Sequence, residues 1–141
     1  MTKHTAFLVF LVLNAAALGH AAETNLVANG SFEQSQRKAG VPDDWSSAGN
    51  PAIHQHLTLA TGRDGKLCAK LACTEFNGDG PDFHAMICQT GKISVRQGQW
   101  YRISFWAKAD GTKSGAVELA LTNTRRWENA GLEEVFSPGV Q

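Results

Sequence analysis

"GQWYRISFWAKAD", residues 98–110, alternates by side chain as a half-buried β-strand does. Tyr101, Ile103, Phe105 and Ala107 fall on one face; Arg102, Ser104, Trp106 and Lys108 fall on the other. The first face reads as core. The second sets a large flat ring among two cations and a hydroxyl. Trp106 is therefore either a surface platform or a ring packed beneath a loop or a neighbouring strand.

Working outward, strand signals recur and helix signals do not. "NLVANGSFE" opens with a short apolar stretch and an Asn-Gly turn. "GVPDDW" is a loop that delivers one ring, Trp45. "AIHQHLTLAT" alternates weakly through Ile53, Leu57 and Leu59. After the turn at Asp64-Gly65, Leu67, Ala69, Leu71 and Cys73 share a face. "NGDGPD" is a turn cluster, "FHAMICQTGKISV" gives a further strand, and "GTKSG" leads into "AVELALTN". Short strands at roughly 8–12-residue spacing, divided by Gly, Pro, Asn and Asp, indicate an all-β sandwich or barrel.

The chain has 141 residues with 13 basic and 13 acidic side chains. "MTKHTA", the apolar run "FLVFLVLNAAALG" and the small residues that follow read as a secretory signal over residues 1–22. The run is shorter than the roughly 20 apolar residues of a membrane span. A mature domain of residues 23–141 loses Lys3 and carries a formal charge of −1. With no basic stripe and no second apolar run, nucleic acid and a membrane span are not expected, and the chain is expected to be exported. The polar stretch "TRRWENAGLEEVFSPGVQ" ends just after a Ser-Pro-Gly turn with no strand behind it. The closing strands are therefore expected to lie beyond Gln141.

Cys68, Cys73 and Cys88 leave at least one thiol unpaired within the chain. Cys68 and Cys73 lie ~16 Å apart along an extended strand at ~3.3 Å per residue, too far to bridge. If residues 67–74 and 83–89 pair as a hairpin around "NGDGPD", Cys68 falls opposite Cys88. A Cys68–Cys88 disulfide with Cys73 buried and free is the expectation from that pairing. His54 and His56 lack a third ligand, so a zinc site is not expected.

"NLVANGSFE", "GVPDDW" and "GQWYRISFWAKAD", in this order and spacing, resemble the CenC-type carbohydrate-binding modules of families 4, 9 and 22. The resemblance spans Asn25 to about Asn123. It implies a galactose-binding-like antiparallel β-sandwich jelly roll that binds polysaccharide or oligosaccharide. Such modules usually accompany a glycoside hydrolase or another secreted polysaccharide-acting enzyme, so a downstream catalytic domain in the same chain is implied. The family's closing strand is missing from this sequence. Modules of this kind often hold a structural calcium, and Glu33, the acid of "NGSFE", is the matching carboxylate.

A pyranose shows C–H bonds on its ring faces and hydroxyls at its edge, so a flat aromatic beside polar groups suits it. On that chemistry Trp106 with Arg102 forms the leading candidate surface. Trp127, behind Arg125 and Arg126, either contacts sugar or packs in its loop. Phe83 and His84 leave the "NGDGPD" loop toward a sheet edge, where His84 can donate to a hydroxyl. Trp45 is assigned to structure and Trp100 is left unassigned. A glycosidase needs two carboxylates ~5–5.5 Å or ~6.5–9.5 Å apart in contrasting environments. Glu118, Glu133 and Glu134 give no such pair, so this segment reads as non-catalytic. The competing reading is a structural or adhesive sandwich of a surface protein, with Trp106 packed and no sugar site.

Overall fold

The computed structural model describes residues 24–80, 82–110 and 116–138. The expected signal (1–22) and the turn at 111–115 lie outside those residues. Within them the regular elements are six strands and one short 3-10 turn, Arg63–Gly65. The strands are β1 (Ser46–Gly49), β2 (Ile53–Thr61), β3 (Leu67–Phe76), β4 (Ala85–Cys88), β5 (Val117–Thr122) and β6 (Asn129–Phe136). All pairing is antiparallel: β1 with β4, β2 with β3, β5 with β6. The domain is all-β and antiparallel, as the turn spacing indicates, in keeping with a β-sandwich.

β2 shows why the alternating pattern forms a strand. Ile53 and Leu57 are buried, Gln55 and Leu59 half-buried, while His54, His56 and Thr58 are exposed. Opposite them, Leu71 faces Leu57 and Ala69 faces Leu59. The register slips between His54 and Gln55, where Thr74 is the extra residue of β3. That bulge brings Phe76 opposite Ile53, so both ends of the hairpin present apolar residues to one side. His54 and His56 lie on the solvent face, and the His54 Nδ1 stands 3.0 Å from Glu75.

The β2–β3 turn is tight. Gly62 donates its N–H to the Lys66 carbonyl at 2.7 Å. A side chain at Gly62 would place Cβ 2.8 Å from the Cys68 Cβ, so the close approach itself requires glycine.

Three expectations are corrected. First, residues 101–107 are not in a strand, although the sequence alternates cleanly; a single bridge residue, Lys108, marks the segment. Side-chain alternation supplies faces but not a hydrogen-bonded neighbour, and without a ladder Tyr101, Ile103 and Phe105 remain 47–50% exposed. Second, the polar tail is structured: Asn129–Phe136 is β6, with Leu132 facing Leu121 and Phe136 facing Val117.

Third, the hairpin behind the Cys68–Cys88 disulfide does not form. β3 takes β2 as its partner and β4 takes β1, which places Cys68 opposite Ala60 and Cys88 opposite Ser46. All three thiols are free. Cys73 shares the Leu71 side of β3 but is exposed, because among the described residues β3 has a strand neighbour on one side only.

Candidate functional site

The N-terminal motif and the Trp45 loop form one hydrogen-bonded unit. The Asn29 side-chain amide donates to the carbonyls of Gln34 and Asp43, both at 2.9 Å, and its oxygen accepts the Gln34 N–H. The Asp43 carboxylate, buried, accepts the N–H groups of Gln36 and Arg37 at 3.0 Å each. The Trp45 ring packs on Phe32 with centroids 5.1 Å apart. Asp44 sits between Arg37 and Lys92, each 3.1 Å away. The hydrogen bond from Lys92 outweighs the opposing cost of burial, and with the fields of Arg37 and Lys92 it holds the carboxyl below the ordinary range. Trp45 is half-buried here, held by Phe32 and by the carbonyl of Asn29.

Glu33 works in the same frame, its carboxylate accepting the Leu67 N–H at 3.0 Å across 34 residues of chain. Among the described residues no group of three or more His, Cys, Asp or Glu is placed to hold a metal ion. Calcium takes six to eight oxygens. Glu33 supplies one carboxylate toward that number, and here it ties the N-terminal motif to β3.

Trp106 stands at the opposite pole of exposure, 81% accessible. Its ring carries the Arg63 guanidinium 3.9 Å from the centroid, brought there by the β2–β3 turn. Its neighbour Phe105 meets Phe136 of β6 edge-on, with centroids 5.4 Å apart. The segment is thus held between a turn on one side and β6 on the other. Arg102 and Ser104, which share the polar set of the alternating pattern with Trp106, are exposed as well.

The other candidates lie elsewhere. Trp127 is 62% exposed in the β5–β6 turn, with its N–H donating to the Asn123 carbonyl at 2.7 Å. The hairpin runs ~17 Å from that turn to the Val117–Phe136 end at ~3.3 Å per residue, and Phe105 touches the far end. Phe83 and His84 precede β4, where the His84 carbonyl accepts the Asn50 N–H at 3.2 Å. Phe83 is half-buried with its ring against Gly78. That corner adjoins the Ile53–Phe76 end of the β2–β3 hairpin, while Arg63 and Trp106 mark the other end, ~26 Å away along β2. The five candidates therefore do not converge; Trp106 and Trp127 are the exposed tryptophans among them, and Trp106 is the more exposed.

Two further exposed side chains carried no site assignment in the sequence. Trp100 has the most exposed large ring among the described residues, 99% accessible, just after the turn at Gly98. Arg63 read only as part of a turn, since nothing in the chain order signals contact with a ring 43 positions later.

An antiparallel β-domain with large aromatic rings on its surface is the architecture of a sugar-binding module. A family model described as a carbohydrate binding domain, CBM_4_9, matches residues 24–136, and the chain belongs to that family. No curated protein and no solved structure matches the chain. Among the described residues no helix is long and apolar enough to cross a membrane.

Proposed function

We propose that this carbohydrate-binding domain holds polysaccharide on the exposed surface of Trp106 and concentrates an attached glycoside hydrolase on a plant- or algal-type glycan. The observation that carries the reading is the 81% exposure of the Trp106 ring in a chain of this family. An indole left open to water is an unsatisfied apolar surface, and the C–H face of a pyranose covers it while the sugar's hydroxyls stay hydrated. Export by the N-terminal signal and a catalytic domain after Gln141 belong to the same proposal. In the structural or adhesive alternative Trp106 is packed; the Arg63 contact is the feature on its side, and the ring's remaining exposure weighs against it.

Affinity electrophoresis of the full-length protein in β-glucan, xylan and mannan gels tests the proposal. Trp106→Ala should lose most of the retardation that the parent shows. Equal retardation of variant and parent removes Trp106 from the site.

A further inference from the structure

We propose that the Trp106 surface is built for an acidic polysaccharide, with Arg63 taking the glycan carboxylate; this rests on Trp106 being the sugar-contacting ring. The Arg63 guanidinium lies 3.9 Å from the centre of the indole, so one ring face is already occupied by a cation. A neutral pyranose has only the remaining face to cover. The guanidinium itself stays at the surface, with its side chain 57% exposed.

The ring contact restricts the arginine, and the exposed guanidinium keeps N–H groups for a ligand. A guanidinium matches a carboxylate, which it binds through two parallel hydrogen bonds. Asp64 reaches the Nε at 3.5 Å, but both partners are exposed, and an exposed pair of this length yields readily to a ligand carboxylate. The surrounding sequence has the same sign. Between residues 93 and 110 the basic side chains are Arg96, Arg102 and Lys108, against one acid, Asp110. A uronic acid offers both complements at once, a C–H face for the open side of Trp106 and a carboxylate for Arg63.

The test uses the full-length protein in affinity gels of polygalacturonate and glucuronoxylan (carboxylates), carrageenan (sulfates), and barley β-glucan and unsubstituted xylan (neutral). The parent should bind carboxylated glycans most tightly. Arg63→Gln should weaken that binding about tenfold, the worth of one charge-assisted bond, and so erase the preference for carboxylated over neutral glycans. Arg63→Lys keeps the charge but loses the planar fork, and should fall close to the Gln variant. Four results overturn the inference. They are an Arg63→Gln protein that binds carboxylated glycans like the parent, an Arg63→Lys protein with full affinity, carrageenan bound as well as polygalacturonate, and no glycan bound at all. A parent that binds neutral glycans through Trp106 with no preference for acidic ones overturns the role of Arg63 alone and leaves the sugar platform standing.

Discussion

The indole N–H of Trp45 donates to the carbonyl of Asn29 at 3.1 Å. This bond closes a circuit, because the Asn29 side chain in turn donates to the carbonyl of Asp43, two residues before the tryptophan. Asn29 adopts φ +45, a left-handed conformation that asparagine tolerates better than most side chains. The "NGSFE" turn and the "VPDDW" loop are therefore two halves of one structure. Neither loop has a strand ladder of its own, and each supplies the other's hydrogen-bond partners.

Replacing Trp45 separates the two contributions. Trp45→Phe keeps a ring against Phe32 but loses the N–H, and should cost about 1 kcal/mol. Trp45→Ala also loses the ring and leaves a cavity, and should cost about 3 kcal/mol. Urea denaturation of both variants checks the order. Equal losses would mean that the ring contributes nothing beyond its hydrogen bond.

Asp43 should be as sensitive as the tryptophan despite its charge. Its buried carboxylate satisfies the N–H groups of Gln36 and Arg37. Asp43→Ala strands both donors, at about 1–3 kcal/mol for each that water does not reach. Asp43→Asn offers one acceptor oxygen in the same place and should recover part of the loss. A melt in which the Asn and Ala variants coincide would show that the carboxylate position is unimportant.

β2 was legible because burial on one face and solvent on the other leave a period of two in the side chains, from Ile53 to Leu59. β6 was not, because Glu133 and Glu134 sit among its exposed positions and hide the Leu132 and Phe136 that face β5. Partner choice was the deeper gap. "LCAKLACTEF" and "AMIC" look like neighbours, and their pattern carries no mark of which other strand each one meets. The Cys68–Cys88 expectation failed on that point alone. For the site, the alternating pattern left Trp106 as either a platform or a packed ring, and Arg63 reaches it through a turn whose direction only the folded chain determines.

The Asp44 ion pairs set an acid limit. Lys92 and Arg37 hold the folded-state carboxyl below its ordinary value of 3.8. A depressed carboxylate contributes stability that is fully present above the unfolded value and is lost as pH falls through the folded one. Asp44→Asn should therefore be less stable than the parent at neutral pH, with the difference shrinking as pH drops below 3.8. Melting temperatures from pH 7 to pH 2 read this directly. A difference that stays constant across the range would remove the ion pairs from the acid response.

The thiols give the last prediction. Cys73 is exposed on β3, while Cys68 and Cys88 are half-buried. Cys88 has its sulfur 3.4 Å from the Ser46 hydroxyl, across the β1–β4 pair, and 3.9 Å from the Thr90 hydroxyl. Cys68 lies under the Gly62 turn, with its sulfur 3.2 Å from where a Gly62 Cβ would stand. Reaction with a thiol reagent requires access, so the native protein should label first at Cys73, and at Cys68 and Cys88 only as fast as β3 and β4 open. Denaturation without reductant should release three reactive thiols. Peptide mapping that finds a Cys68–Cys88 crosslink would contradict the three free thiols of the structure.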